Sequence, residues 1–219
     1  MVVAIAGAHG KIALRLIPLL VERGDSVIGL IRNPDHADEV SEAGASPVVC
    51  DLEQATIEEI AEAIGDADAA VFAAGAGPGS SAERKMTMDR DGAVKLLQAA
   101  IRVGAGRYVI VSAVGAEDPP DADDVFSVYL RAKAEADVAV MASDRLWTVL
   151  RPGGLTDDPG TGRVRLSAEP YRGRVPRDDV AAVLARLLAD ERAAGLVLYI
   201  NGGEVPIDEA VESAVGSSG

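Results

Sequence analysis

The sequence has very little of several features on which other classes of protein depend. Aromatic residues make up only 3% of its 219 residues, histidine occurs twice and cysteine once. The single Cys50 can form no disulfide within the chain, and two histidines supply neither a histidine metal cluster nor a Ser-His-Asp triad. We therefore expect no metal site and a core built from Ala, Val, Leu and Ile.

Positive charge is scarce as well. Lys and Arg number 21 against 35 Asp and Glu, a formal net charge of -14 that disfavours binding to nucleic acid or to an anionic membrane surface. No apolar run has the length of a membrane span, and the first residues lack the order of a signal peptide. We expect a cytoplasmic protein that acts on a small molecule. Its acidic, arginine-rich composition indicates either GC-rich codon usage or salt adaptation.

Short apolar runs alternate with helical patterns along the whole chain. Strands are predicted at 2–6, 26–31, 47–50, 69–73, 107–112, 147–150 and 196–201. Helices are predicted after residue 12, at 37–43, 56–64, 82–103, 129–141 and 179–190, and from 207. Strands that are apolar throughout and separated by helices indicate a parallel sheet covered on both faces. We predict a doubly wound α/β fold, one domain over residues 1–219, with a frayed end at 216–219.

A glycine-containing loop follows the first predicted strand and opens the first helix. In such a position glycines allow a tight turn, and backbone N–H groups can approach a diphosphate at the helix N-terminus. The alternative is an ordinary glycine turn, and for the histidine in the loop an exposed side chain is preferred to a catalytic role. The pattern predicts a Rossmann dinucleotide site whose loop residues are Gly7, Ala8, His9, Gly10, Lys11 and Ile12.

The end of the second predicted strand discriminates between the two nicotinamide cofactors. An acidic residue there would bind the ribose hydroxyls of NAD, but this chain has Arg32 and Asn33, and an arginine can pair with the 2′-phosphate of NADP. NADP is therefore the predicted cofactor, with a solvated arginine as the alternative. Residues after the third and fourth strands are placed to border the adenine, the ribose and the diphosphate, namely Asp51, Leu52, Ala73, Ala74 and Gly75.

Three polar residues have the chemistry of a carbonyl-reducing site. Tyr129 and Lys133 are four apart on a predicted helix and so share one face, where the ammonium is expected to lower the pKa of the phenol toward neutrality. The tyrosine can then exchange a proton as hydride moves to or from a carbonyl. Ser112 ends the fifth strand, at the ligand-binding edge of such sheets, and its hydroxyl can bond the substrate oxygen. A packing tyrosine with a surface lysine is the alternative.

With these residues the chain resembles the short-chain dehydrogenase/reductase superfamily, and more closely its atypical NAD(P)H-binding, epimerase/dehydratase-like branch, related to NmrA-like and biliverdin-reductase-B-like proteins. The resemblance covers nearly the whole chain. It rests on the glycine loop and on Ile31-Arg32-Asn33-Pro34, Asp51-Leu52, Ala73-Ala74-Gly75, Met88-Asp89-Arg90-Asp91-Gly92, Val111-Ser112-Ala113, Tyr129-Leu130-Arg131-Ala132-Lys133 and Leu150-Arg151-Pro152-Gly153-Gly154-Leu155-Thr156.

The resemblance implies further roles and leaves three functions open. Pro152, Gly153 and Gly154 would line the nicotinamide, and Lys133 would contact the nicotinamide ribose as well as Tyr129. An NADP-dependent oxidoreductase acting on a small carbonyl or conjugated substrate is the first expectation. A non-catalytic NADP-binding sensor in the NmrA-like manner and a flavin- or biliverdin-reductase-like enzyme are the alternatives, and a homodimer is a possible assembly.

One departure from the superfamily bears on catalysis. Its usual tetrad includes an asparagine on the helix after the fourth strand, and the chain's asparagines lie elsewhere. The segment after Gly154 is short and leaves only a small C-terminal substrate region. We interpret Asp178 and Asp179 as helix N-caps and the acidic run at 117–124 as a solvated loop.

Overall fold

Nine strands form one sheet in the computed structural model, which describes residues 1–216. The strands of the sheet are β1 (Val2–Ala6), β2 (Ser26–Ile31), β3 (Ser46–Val49), β4 (Ala69–Phe72), β5 (Arg107–Val111), β6 (Leu146–Pro152), β8 (Arg163–Ser167), β10 (Leu196–Gly202) and β11 (Val205–Pro206). Their spatial order is β11-β8-β10-β6-β5-β4-β1-β2-β3. Two further strands, β7 (Gly154–Thr156) and β9 (Arg174–Pro176), pair separately.

Helices cover both faces of this sheet. They are α1 (Ala13–Glu22), α2 (Ala37–Glu42), α3 (Ile57–Ile64), α4 (Ala82–Arg84), α5 (Ala93–Val103), α6 (Val125–Met141), α7 (Arg177–Ala189) and α8 (Ile207–Gly216). Short 3-10 turns span Pro34–His36 and Glu191–Ala193. The Thr56 hydroxyl and the Glu59 carboxylate cap α3 reciprocally, as the spacing of a capping box predicts. In residues 1–216 no helix is long and apolar enough to cross a membrane.

The strand order creates the switch point at which such folds bind ligands. β1 pairs in parallel with β2 on one side and with β4 on the other. The chain runs outward from β1 through β2 and β3, then crosses back and runs outward on the other side from β4. The carboxyl ends of β1 and β4 therefore border a crevice. Within residues 1–216 the antiparallel pairs are those of β8 with β10 and with β11, at the far edge of the sheet. The other strands pair in parallel, which confirms the predicted doubly wound α/β class.

Two apolar clusters, one on each face, account for the continuous apolar strands. One face packs Ile5 and Val71 with side chains of α1 and α7, and the other packs Ala4 and Phe72 with side chains of α3 and α5. Successive residues of a central strand thus enter different clusters, and both must be apolar. The core is mostly aliphatic, as the scarcity of aromatic residues predicts, with Phe72 and Tyr108 as its largest fully buried side chains.

The structure departs from the predicted elements in three places. The helix predicted at 82–103 is interrupted by a wider, π-helical segment at Lys85–Gly92. α6 begins earlier than predicted, at Val125, because the Asp124 carboxylate accepts hydrogen bonds from the backbone of Phe126 and Ser127. The segment after Gly153 contains β7, β8 and β9, which were not predicted. Of the expected frayed end, Gly216 ends α8, and 217–219 lie outside the described residues.

Candidate functional site

A cleft of about 270 Å³ opens at the switch point of the sheet. Loops after β1, β2, β3 and β4 form its walls, because the carboxyl ends of these parallel strands meet at one edge. The walls also contain residues that sequence reasoning did not assign, among them His36, Arg84 and Met88. Ten predicted cofactor residues line it: Gly7, His9, Gly10, Arg32, Asn33, Asp51, Leu52, Ala73, Ala74 and Gly75.

The glycine loop brings the backbone close to this cleft. Gly7 has a φ of +78°, and a Cβ there would lie 2.7 Å from the Cα of Ala74, so both the turn and the approach of the neighbouring loop require glycine. Gly10 donates its N–H to the Gly7 carbonyl at 2.8 Å. The N–H groups of Lys11 and Ile12 have no acceptor within residues 1–216. The loop therefore fits a diphosphate at the start of α1.

Several predicted cofactor residues lie outside the cleft walls. Ala8 and Ile12 are buried in the core beneath the loop, where they can offer only backbone atoms. The Lys11 side chain is 64% exposed and its Nζ lies 2.6 Å from Asp157 Oδ2, so it points toward the loop after β7. These three residues shape the loop, whereas His9 contributes its side chain to the cleft.

The predicted nicotinamide loop is held by a different set of contacts. Pro152 ends β6, and the Gly153 N–H donates to the Ile200 carbonyl at 3.0 Å. A Cβ at Gly153 would clash with the amide oxygen of Asn201. That oxygen is buried and has no hydrogen-bond partner in residues 1–216. Pro152, Gly153 and Gly154 thus form a tightly packed corner separate from the walls of the 270 Å³ cleft.

The adenosine end of the cleft carries two arginines joined by one carboxylate. Glu53 Oε2 accepts hydrogen bonds from Arg84 Nε and Nη2, each at 3.0 Å, and lies 3.7 Å from Arg32 Nη1. The side chain of Arg32 is 54% exposed and borders the cleft. Burial raises the pKa of Glu53, but Thr87 and the two arginines outweigh it, so the pKa lies below its usual value. A fixed negative charge therefore holds both cations.

Lys133 is held in place by a buried ion pair. Its Nζ lies 3.3 Å from Asp89 Oδ1 and donates to the Val111 carbonyl at 3.1 Å. Asp89 Oδ2 also accepts the Ala76 N–H at 3.1 Å. Asp89 lies in the π-helical segment after β4, the region in which the resemblance implies an asparagine. The sequence reasoning missed this residue, although it stands in the quoted Met88-to-Gly92 motif, because only the fold shows that it reaches Lys133.

Tyr129 lies beside the same lysine, on the shared face of α6 that the spacing predicts. Lys133 Nζ is 5.9 Å and Lys85 Nζ is 5.3 Å from the centroid of the tyrosine ring. The expected lowering of the Tyr129 pKa is wrong. Burial raises this pKa, Lys133 opposes the rise, and Asp89 adds to it. The phenol therefore stays protonated at neutral pH, which suits a proton donor better than a base.

Ser112 has a different hydrogen-bond partner from the one expected. Its buried hydroxyl donates to Asp137 Oδ2 at 2.7 Å, and the same oxygen lies 2.9 Å from Arg151 Nη2. Arg151 in turn donates to the Tyr199 hydroxyl at 2.6 Å. Because its one hydroxyl hydrogen is engaged in the hydrogen bond to Asp137, Ser112 can accept a hydrogen bond but cannot at the same time donate one to a substrate oxygen. Its expected role as a donor therefore requires that Asp137 release it.

A second opening, of about 320 Å³, adjoins the tyrosine. Gly79, Lys85, Val125, Phe126 and Tyr129 line it. Phe126 is 63% exposed, and its ring centroid lies 6.0 Å from that of Tyr129. An exposed phenylalanine next to a partly buried, protonated phenol offers an apolar surface where a substrate could meet the proton donor.

The two aspartates interpreted as N-caps have another role. α7 begins after Pro176, with no side-chain cap. Asp179 is almost fully buried and accepts the N–H groups of Thr161 and Gly162, whereas Asp178 accepts that of Gly160. Both carboxylates thus fasten the loop before β8, so the N-cap interpretation is wrong. The acidic run at 117–124 is largely exposed, as expected, with Asp124 as the cap of α6.

Comparisons with known proteins agree with this arrangement. The family model of NAD(P)H-binding proteins matches residues 7–191. A Bacillus subtilis relative named an uncharacterized sugar epimerase, YhfK, is 34% identical over 213 residues, which cover 97% of this chain and 99% of the relative. A solved structure from Bacillus halodurans, assigned by name to the NAD-dependent epimerases/dehydratases, is 35% identical with a TM-score of 0.91, covering 97% of this chain and 99% of its own.

A more distant solved structure, ChuY, an anaerobillin reductase from Escherichia coli O157:H7, shares the fold with a TM-score of 0.79 at 22% identity, covering 94% of this chain and 98% of its own. The switch-point cleft, the glycine loop and the parallel sheet are typical of α/β proteins that bind a nicotinamide dinucleotide. The chain belongs to the NAD(P)H-binding family.

Proposed function

We propose that this protein is an NADP-dependent oxidoreductase that transfers hydride between NADPH and a small carbonyl or conjugated substrate. The observation that carries the proposal is the placement of Tyr129 against the buried Lys133–Asp89 ion pair and beside an apolar opening. A protonated phenol, a fixed ammonium and an exposed phenylalanine together can bind and protonate a carbonyl oxygen. The same cluster would be an expensive arrangement for packing alone, because it keeps ionised groups out of water.

NADP is the proposed cofactor. The N–H groups of Lys11 and Ile12 and the positive end of α1 suit a diphosphate. Arg32 lies at the end of β2, where a 2′-phosphate would be read, and Arg84 adds a second guanidinium on the same wall. When bound, the nicotinamide supplies the hydride.

The protein's own residues supply the proton. In the reducing direction the Tyr129 hydroxyl hydrogen-bonds the carbonyl oxygen and gives it a proton as the carbon is reduced. Lys133 faces the tyrosine ring and stabilises the tyrosinate that remains, while Asp89 keeps the ammonium at its position. The apolar side chains of Val125 and Phe126 hold the substrate and exclude water from the reacting oxygen.

The non-catalytic sensor is the second candidate, and one observation favours it. The Ser112 hydroxyl already donates its hydrogen bond to Asp137, so one of the two hydroxyl donors expected in the superfamily is engaged within the protein. If Tyr129 were likewise inactive, NADP occupancy alone would be the output. We also propose that the protein works in the cytoplasm, where the single half-buried thiol of Cys50 would stay reduced.

Binding and turnover separate these candidates. The purified protein is titrated with NADPH and with NADH, and consumption of NADPH is then followed with aldehydes, ketones, quinones, flavin and a linear tetrapyrrole. The oxidoreductase proposal expects tighter binding of NADPH and turnover of at least one carbonyl or conjugated compound that depends on the Tyr129 hydroxyl. Turnover that survives Tyr129→Phe would indicate the flavin-reductase-like function, and tight binding without turnover would favour the sensor.

A further inference from the structure

The only two histidines of the chain stack on each other at the wall of the cofactor cleft. The ring centroids of His9 and His36 are 3.6 Å apart, and the ring planes differ by 15°. His9 comes from the glycine loop after β1, and His36 ends the 3-10 turn that follows β2. Both line the cleft together with Arg32. The fold therefore brings two titratable rings from separate loops to the end of the cleft where the adenosine ribose would bind.

The hydrogen bonds of the pair leave most of its ring nitrogens free. His9 Nε2 lies 3.0 Å from Glu39 Oε2, and an ionised carboxylate only accepts, so this nitrogen is the donor. The other nitrogen of His9 and both ring nitrogens of His36 have no hydrogen-bond partner within residues 1–216. Both side chains are only partly buried. The stack thus presents unused ring nitrogens at the cleft and is not closed off by packing.

Imidazole is the side chain that gains or loses a proton near neutral pH, so it can match its charge to a bound anion. We propose that the His9–His36 pair is part of the 2′-phosphate site and takes up one proton when the 2′-phosphate of NADP binds beside Arg32. This inference rests on the NADP preference proposed above. A dianionic phosphate bound beside the rings would favour a cationic ring.

The neighbouring charges set the limit of one proton. Glu39, on α2, lies 3.0 Å from His9, and Arg32 and Arg84 add two positive charges to the cleft walls. Asp51 and the Cys50 thiol are the remaining ionisable groups of those walls. Two cationic rings in face-to-face contact would repel each other strongly, so the stack accommodates a single proton.

The proton balance gives a test that does not depend on turnover. The second pKa of a phosphomonoester is about 6, so at about pH 7.5 the 2′-phosphate binds mostly as the dianion. Any proton taken up on binding is therefore bound by the protein. Calorimetric titration in HEPES and in Tris, whose ionisation enthalpies differ, gives the number of protons bound per ligand. NADH, which lacks the phosphate, is the matched control ligand. We expect uptake on the order of one proton with NADPH and none with NADH.

Variants identify the group that takes up the proton. The double variant His9→Gln, His36→Gln contains no histidine, because the chain has only these two. It should lose the proton uptake, and its NADPH affinity should fall several-fold more than its NADH affinity. The single variants His9→Gln and His36→Gln should each lose part of both.

Two outcomes overturn the inference in different ways. If the wild type prefers NADPH but takes up no proton, or if the histidine-free variant keeps the uptake, the histidines are not part of the phosphate site while the proposed cofactor stands. If NADPH and NADH bind equally well, the NADP preference itself is wrong and this inference fails with it. Both proposals are supported if the wild type prefers NADPH and takes up a proton, while the histidine-free variant takes up none and shows a weaker preference for NADPH.

Discussion

Lys133 Nζ lies 3.3 Å from Asp89 Oδ1, and both side chains are at most 4% exposed. The pair joins the long helix α6 to the π-helical segment after β4. In this chain a carboxylate therefore contacts the site lysine directly, in the region where the related superfamily is expected to use an asparagine. The ammonium is fixed beside Tyr129 without a side-chain amide, so the missing asparagine does not by itself remove the catalytic arrangement.

Substitution of Asp89 tests this relationship. Asp89→Ala leaves the Lys133 ammonium buried without its partner, which should lower the free energy of unfolding by about 3–5 kcal/mol. Asp89→Asn keeps an oxygen that can accept from Lys133 and should be milder. Chemical denaturation measures both, and equal stability of the wild type and Asp89→Ala would contradict the importance of the pair. The control is Asp91→Asn, which alters a more exposed ion pair with Arg90 in the same segment.

Cofactor preference should respond in opposite directions to two substitutions. Arg32→Ala removes a charge-assisted contact of about 1.5–3 kcal/mol and should weaken NADPH binding about tenfold or more, leaving NADH binding unchanged. Glu53→Gln should strengthen NADPH binding, because the Glu53 carboxylate competes with phosphate for Arg32 and Arg84. Calorimetric titration checks both. Glu58→Gln, which alters an exposed ion pair with Arg102, is the matched control and should change neither affinity.

The two reaction directions should differ in their pH dependence. Burial raises the pKa of Tyr129, so the protonated phenol needed for reduction persists well into the alkaline range. The oxidising direction needs the tyrosinate, so its rate should rise as pH increases toward that raised pKa. Asp89→Asn removes a charge that raises the pKa of Tyr129, and should move the alkaline limb to lower pH. Rate profiles of kcat in both directions measure this, and an unchanged limb would contradict it.

The role of Ser112 can be separated from that of the tyrosine. Because its hydroxyl donates to buried Asp137, Ser112→Ala leaves that carboxylate with one partner fewer and should lower the free energy of unfolding by about 1–3 kcal/mol. The loss of kcat should be smaller than in Tyr129→Phe, since the serine proton is not available to the substrate in this arrangement. A loss of kcat as large as that of Tyr129→Phe, without destabilisation, would restore Ser112 as a substrate-binding donor.

Local periodicity and turn chemistry predict much of this fold, but they do not predict which segments distant in sequence pair with each other. The seven strands of the parallel part follow from apolar runs that must be buried on both faces, and the glycine loop follows from its place between β1 and α1. The strands β7, β8 and β9 lack such runs, because their buried residues are separated by exposed or charged ones. Contacts with neighbours distant in sequence stabilise them.

The same distinction applies to the site. Tyr129 and Lys133 could be paired from their helical spacing, which is a local property. Asp89 and Asp137 could not be assigned from the sequence. Their partners, Lys133 and Ser112, are distant in sequence and are brought to them only by the fold. The raised pKa of Tyr129 is also a product of burial, which the tyrosine–lysine spacing alone does not reveal.

The central claim is that the Tyr129 hydroxyl protonates a carbonyl while the protein holds NADPH. The most direct measurement compares wild type, Tyr129→Phe and the control Tyr171→Phe, whose ring is exposed, in NADPH affinity and in kcat on a carbonyl substrate that the wild type reduces. The account predicts unchanged NADPH affinity in all three, with most of kcat lost only in Tyr129→Phe. Full turnover by Tyr129→Phe would contradict it.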